Sequence, residues 1–329
     1  MNQYLRAMTA TQQVGAMFLI VFGCLAIAGI AVFLLSIREH AHTPEGDARR
    51  ILLSRADGVL RSSWVMAIVF WVGWLSGDTT ATVLFGLVSF FALREFLTLS
   101  PTRRGDHRSL VLAFFVILPL QYVLVGTRHF DLFTVFIPVY VFLAIPVVSA
   151  LANDPQRFLE RNAKLQWGIM VCIYGMSHVP ALLLLEFPRF SDRNAFLVIF
   201  LVLVVQTCMV AQYFAARRLR MAPAAPAISS SFNWPAWWIG VGAGSLLGAL
   251  LAGVTPFAPG QAFALAFVAC VAGSLGHLVM KAIKRDRGIP NWGPEGASVT
   301  GAGGLLDRVD ALCFAAPVFF HSVRWYFQL

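Results

Sequence analysis

The chain has 329 residues, of which 58% are hydrophobic and only 12% charged, against a charged share of about 25% in soluble domains. That composition excludes an ordinary soluble fold and predicts an all-α integral membrane protein, one polytopic bundle over residues 1–329. The formal charge of +9 does not require nucleic acid as a partner, because basic residues in a membrane protein record topology and contact with anionic headgroups.

Met1 to Gln13 is a short polar lead, and the first span runs from Val14 to Ile37. Its V-F-G-C at Val21 to Cys24 resembles a lipoprotein cleavage site, but the bulky Phe22 and the many later spans predict an uncleaved helix. Further apolar runs lie at about Ser63 to Gly77, Thr80 to Leu93, Ser109 to Val125, Leu132 to Leu151 and Leu165 to Leu185. The last four are about Ala195 to Phe214, Trp237 to Gly253, Gln261 to Ile283 and Ala311 to Phe327, which makes about ten helices. Gly77, Asp78 and Thr79 alone separate the second and third, a tight helical hairpin. The Pro/Ala/Ser patch from Ala222 to Ser231 cannot be helical throughout. Trp234, Trp237 and Trp238 after it read as an interfacial aromatic belt. All five cysteines fall in expected spans without a C-x-x-C pair, so neither disulfides nor a zinc site is expected.

Basic residues alternate along the loops. Loop one carries Arg38, Arg49, Arg50, Arg55 and Arg61; loop three Arg94, Arg103, Arg104 and Arg108; loop five Arg157, Arg161 and Lys164; loop seven Arg217, Arg218 and Arg220. Loop nine, counted with its helix end, adds Lys281, Lys284, Arg285, Arg287 and Arg308, while the alternate loops hold only Arg128, Arg189 and Arg193. The odd loops are therefore expected on the cytoplasmic side of a bacterial inner (plasma) membrane, with both termini on the other side.

Chemistry concentrates between residues 273 and 310. Lys284 and Arg285 close an apolar helix, where they serve either as interfacial anchors or as a phosphate clamp. Gly301, Gly303 and Gly304 precede Asp307, Arg308 and Asp310. Glycines let backbone amides approach an anion, and carboxylates three apart share a helix face where they can hold a divalent cation. The alternative is a turn whose helix is capped by Asp307. His178 and His321 read as packing or hydrogen-bonding residues, and Glu95 as a local ion pair with Arg94.

K-R-D-R-G-I, then G-x-G-G-L-L-D-R-V-D-A-L and A-A-P-V-F-F, resemble the C-terminal signature of the phosphatidate cytidylyltransferases, or CDP-diacylglycerol synthases. The A-L-R-E-F at Ala92 to Phe96 and the A-Q-Y at Ala211 to Tyr213 are compatible with that family. The resemblance implies a multi-span enzyme joining CTP to phosphatidate with magnesium, and is compatible with a homodimer. It implies Asp307 and Asp310 on the metal; Lys284, Arg285 and Arg308 among the catalytic groups; and Gly301, Gly303 and Gly304 under the nucleotide. Several positions depart from the family pattern: Gly276-His277 stands for Gly-Asp, Lys281 for Ser, Pro290-Asn291 for Lys-Asp, and Thr300 to Gly304 for Pro-Gly-His-Gly-Gly. The segment Ser229 to Pro235 lacks the family's loop Lys and Glu, and an Asn-Asp pair is replaced near Cys208 and Met209. His277 and Asp286 are candidate replacement ligands, although His277 also reads as an interfacial histidine bonded to a neighbouring span. Two functions follow: a cytidylyltransferase with a rebuilt site, or a catalytically silent relative that binds lipid or scaffolds other phospholipid enzymes.

Overall fold

The structure is a computed structural model that describes residues 10–37, 60, 64, 67–68, 70–98, 103–187, 194–289, 292 and 304–328. Among these residues it is helical, with no strand and one isolated bridge between Ala225 and Ser229. The helices are α1 (Ala10–Ile37), α2 (Asp78–Thr98), α3 (Arg104–Gly126), α4 (Phe130–Ala150) and α5 (residues 158–183). They continue as α6 (Ala195–Leu219), α7 (Trp234–Val254), α8 (Pro259–Asp286) and α9 (Leu306–Phe327). Among the described residues, seven of them are long and apolar enough to cross a membrane. The other two, α5 and α9, carry more polar side chains and bury much of their length. The expected span from Ser63 to Gly77 lies only partly within the described residues.

The hairpin at Gly77 forms as expected. Its φ of +87° lies in the region that glycine adopts without strain, and the Ala81 amide donates back to its carbonyl at 3.0 Å. Among the described residues α1 packs through the face on which Phe18 meets Phe70 and Trp74, with ring centroids 5.6 Å apart in each pair. Leu19, Ile27 and Phe33 on its other faces are exposed, as suits contact with lipid.

α3, α4 and α5 each contain one widened turn, at Ala113–Ile117, Phe136–Val141 and Ile169–Gly175. Pro119, Pro138 and Pro180 lie in or just beyond these turns, and each removes an amide donor from the helical ladder. Pro138 withdraws the donor that would serve the Thr134 carbonyl in a regular helix. Tyr174 Oη lies 3.4 Å from that carbonyl and 3.0 Å from His321 Nε2. His178 is buried beside them and donates from Nδ1 to the Tyr174 carbonyl at 2.7 Å, so both histidines pack and hydrogen-bond.

The most extensive packing joins α6 to α7, α8 to α9 and α7 to α8. Gly240, Gly244 and Gly248 lie one helical turn apart along α7, and a side chain at Gly244 would fall 2.5 Å from Cys270 Sγ on α8 and 2.7 Å from the Val204 carbonyl on α6. Small residues at this spacing let membrane helices approach backbone to backbone. Trp237 is buried and donates to Ser274 Oγ at 2.8 Å, so it ties α7 to α8 instead of joining the interfacial belt. Trp234 and Trp238 remain exposed. Cys172, Cys208, Cys270 and Cys313 are buried free thiols, and Cys24 is an exposed one.

Ion pairs join the loops in two sets. Arg161 meets Asp106 at 2.8 Å and Asp154 at 2.7 Å, joining loops three and five. Arg128 meets Asp78 at 3.6 Å and also pairs with Glu186, joining loops two, four and six. Loops three and five therefore meet through one set of pairs, and loops two, four and six through another.

Candidate functional site

α8 and α9 build the site by approaching closely. A side chain at Gly276 would lie 2.1 Å from the Phe314 ring, and one at Gly273 would lie 3.1 Å from the Ala311 carbonyl. The absence of Cβ atoms there brings His277 against Asp310. His277 Nδ1 donates to Asp310 Oδ2 at 2.7 Å; a carboxylate only accepts, so Nδ1 carries the proton. Asp310 is 2% exposed, and its Oδ1 accepts the Ala311 amide at 2.6 Å.

Two turns along α8, Lys284 Nζ donates to Asp307 Oδ1 at 2.5 Å, and the amide of Trp292 donates to Asp307 Oδ2 at 2.8 Å. Asp307 is therefore not the helix cap. That role is played from another helix: Glu95 of α2 accepts the Leu306 amide at 2.8 Å through Oε2. Glu95 thus faces the start of α9, correcting the expectation of a local pair with Arg94. A side chain at Gly304 would fall 1.8 Å from Glu95 Oε1 and 2.3 Å from the Trp292 carbonyl, so this position admits only glycine. Trp292 is itself buried, stacked on Phe96 with centroids 5.3 Å apart.

The structure brings together Lys284, Asp307, Asp310 and Gly304 of the expected site, and adds His277. Arg308 is half-buried on the same helix end, whereas Arg285 is exposed. Asp286 lies outside the cluster, exposed beside Arg287 at 3.6 Å. Gly301 and Gly303 fall outside the described residues. Sequence reasoning missed Glu95 and Trp292. A carboxylate at the end of an apolar span was itself a signal, because such residues are rare in membranes unless they have a partner; Trp292 carried none. In the segment that lacks the family's loop lysine, Asn233 instead caps α7, accepting the Ala236 amide at 2.9 Å.

The carboxylates do not fit a divalent ion as they stand. Magnesium demands near-octahedral oxygen donors, yet every oxygen of Asp307 and Asp310 already accepts a hydrogen bond, two of the four from Lys284 and His277. No cluster of three or more His, Cys, Asp or Glu side chains placed to share a metal occurs among the described residues.

Uncharacterized protein YnbB of Escherichia coli (strain K12) is 33% identical over 271 residues, covering 81% of this chain and 86% of that protein. The sequence model of the cytidylyltransferase family matches residues 59–326, from before α2 to the last turn of α9. Covering all of the helices that build the site, that match places the chain in the cytidylyltransferase family.

Proposed function

We propose that this membrane protein joins CTP to an anionic lipid of the phosphatidate type, giving a CDP-lipid and pyrophosphate. A lipid phosphate oxygen attacks the α-phosphorus of CTP; the new P–O bond forms as the bond to the β-phosphate bridging oxygen breaks, and pyrophosphate leaves. Two anions must meet, so the reaction needs fixed positive charge where negative charge gathers. Lys284, Arg285 and Arg308 are the groups offered for that task. Asp307 orients Lys284 and Asp310 orients His277, each through a direct hydrogen bond. Gly301, Gly303 and Gly304 are assigned to the turn beneath the nucleotide. The observation that carries the reading is the Lys284–Asp307 pair, because it joins the two halves of the signature across α8 and α9.

A second reading, a silent relative that holds lipid without transfer, is favoured by the engagement of both aspartates and the missing loop lysine. The experiment that separates them is transfer of labelled CTP into chloroform-soluble product by purified protein with phosphatidate, run with magnesium, manganese or chelator. Turnover that falls by about two or more powers of ten in Asp307→Asn supports the first reading. No product from well-folded protein under any of the three conditions rejects it in favour of the second.

A further inference from the structure

The chain has three lysines, Lys164, Lys281 and Lys284, among 25 basic residues. Lys164 pairs with Glu160 and Lys284 with Asp307. Lys281 makes no hydrogen bond or ion pair among the described residues, although it is half-buried. It lies four residues after His277 and three before Lys284 on α8, so all three share one helix face. Its charged neighbours are Lys284 and Asp310. Asp310, however, already accepts from His277 and from the Ala311 amide.

This arrangement suits an anion better than a metal ion. Each aspartate has its own donors, and Lys281 adds an ammonium that forms no ion pair among the described residues, although Asp310 is near it. A divalent cation approaching Asp307 or Asp310 would meet two ammonium groups within a turn of each other. An anion would relieve their repulsion and partner a charge that is costly to leave half-desolvated. The backbone mode of anion binding is also restricted at this helix end, since Glu95 occupies the Leu306 amide. Side-chain charge is available beside it, and a lysine ammonium is a compact point charge suited to phosphate.

We infer that the α8–α9 face is a phosphate site that works without a divalent cation, with Lys281 as the group that contacts the ligand's phosphate. The inference rests on the reading of this face as the ligand site and deepens it. The phosphate belongs either to a nucleotide or to a lipid headgroup, and the same contact serves both.

The test uses full-length protein in nanodiscs. One arm titrates labelled CTP into discs of neutral lipid, with magnesium and then with EDTA; the other follows retention of labelled phosphatidate diluted into neutral discs under the same two conditions. Saturable binding in at least one arm is expected, with affinity within about twofold between magnesium and EDTA. Lys281→Ala is expected to weaken binding about tenfold or more, the loss of one charge-assisted contact, while Lys281→Arg retains most of it. Because Lys281 makes no hydrogen bond or ion pair among the described residues, Lys281→Ala should unfold close to the wild-type temperature, and that midpoint, measured beside binding, separates weakened binding from misfolding. The double variant His277→Asp, Lys281→Ser removes the ammonium and adds a carboxylate, and should bind in a magnesium-dependent way. Binding abolished by EDTA, binding unchanged in Lys281→Ala, or no binding in either arm overturns the inference. Binding without transfer would leave the inference standing and reject the transferase reading; transfer that requires magnesium would do the reverse.

Discussion

His277 and Asp310 show how a buried carboxylate is satisfied between two helices. A carboxylate at 2% exposure needs donors, and His277 supplies one of the two Asp310 has. His277→Leu should destabilise the protein by roughly 1–3 kcal/mol, the cost of a buried acceptor left without its partner, read as a lower thermal midpoint in detergent. His277→Gln, which can still donate, should recover part of the loss. Gly304→Ala should be more damaging than its size suggests, because its Cβ would meet both the Glu95 carboxylate and the Trp292 carbonyl. A midpoint unchanged from wild type would contradict this packing. At this scale the D-R-V-D segment and Lys284 were legible in the sequence because their spacing fixes a helix face. Glu95 was not: its partner is 211 positions away, a separation that local spacing does not encode.

Among the elements, α7 is held by what it lacks. Gly244 faces Cys270 and Val204 at distances no side chain can occupy, whereas Gly242 on the same helix has nothing within 4 Å of its Cβ position. Gly244→Leu should therefore cost at least the roughly 1–3 kcal/mol typical of overpacking, and Gly242→Leu should be tolerated. Equal effects of the two on yield and thermal midpoint would argue against this helix register. Hydropathy marked where most helices lie because the bilayer sets their length. It did not mark which helices hide inside the bundle, since α5 and α9 differ from their neighbours in carrying polar side chains to interior partners. Nor did it reveal Trp237 as a tie between α7 and α8, because a tryptophan near a helix start looks the same at an interface and in a core.

For the whole molecule, the two sets of loop ion pairs lie apart, and we propose, on the positive-inside rule, that the lysine-bearing end faces the cytoplasm. A cysteine at Arg285 in a background without the exposed Cys24 should react with an impermeant thiol reagent in inverted vesicles and stay unreacted in intact cells. The opposite pattern would reverse the topology. On that proposal the chemistry sits at one mouth between α8 and α9, on the side from which a soluble nucleotide would come.

The most direct measurement of whether that mouth holds a phosphate uses the scarcity of lysine. Reductive methylation with carbon-13 keeps each ammonium charged and gives one resonance for each of Lys164, Lys281 and Lys284, assigned by single Lys→Arg variants. Titration with CTP, and separately with phosphatidate, in the presence of EDTA is expected to shift the Lys281 resonance saturably, with a smaller shift at Lys284 and none at Lys164. A Lys281 resonance that stays fixed through both titrations, or that moves only once magnesium is restored, would contradict the account.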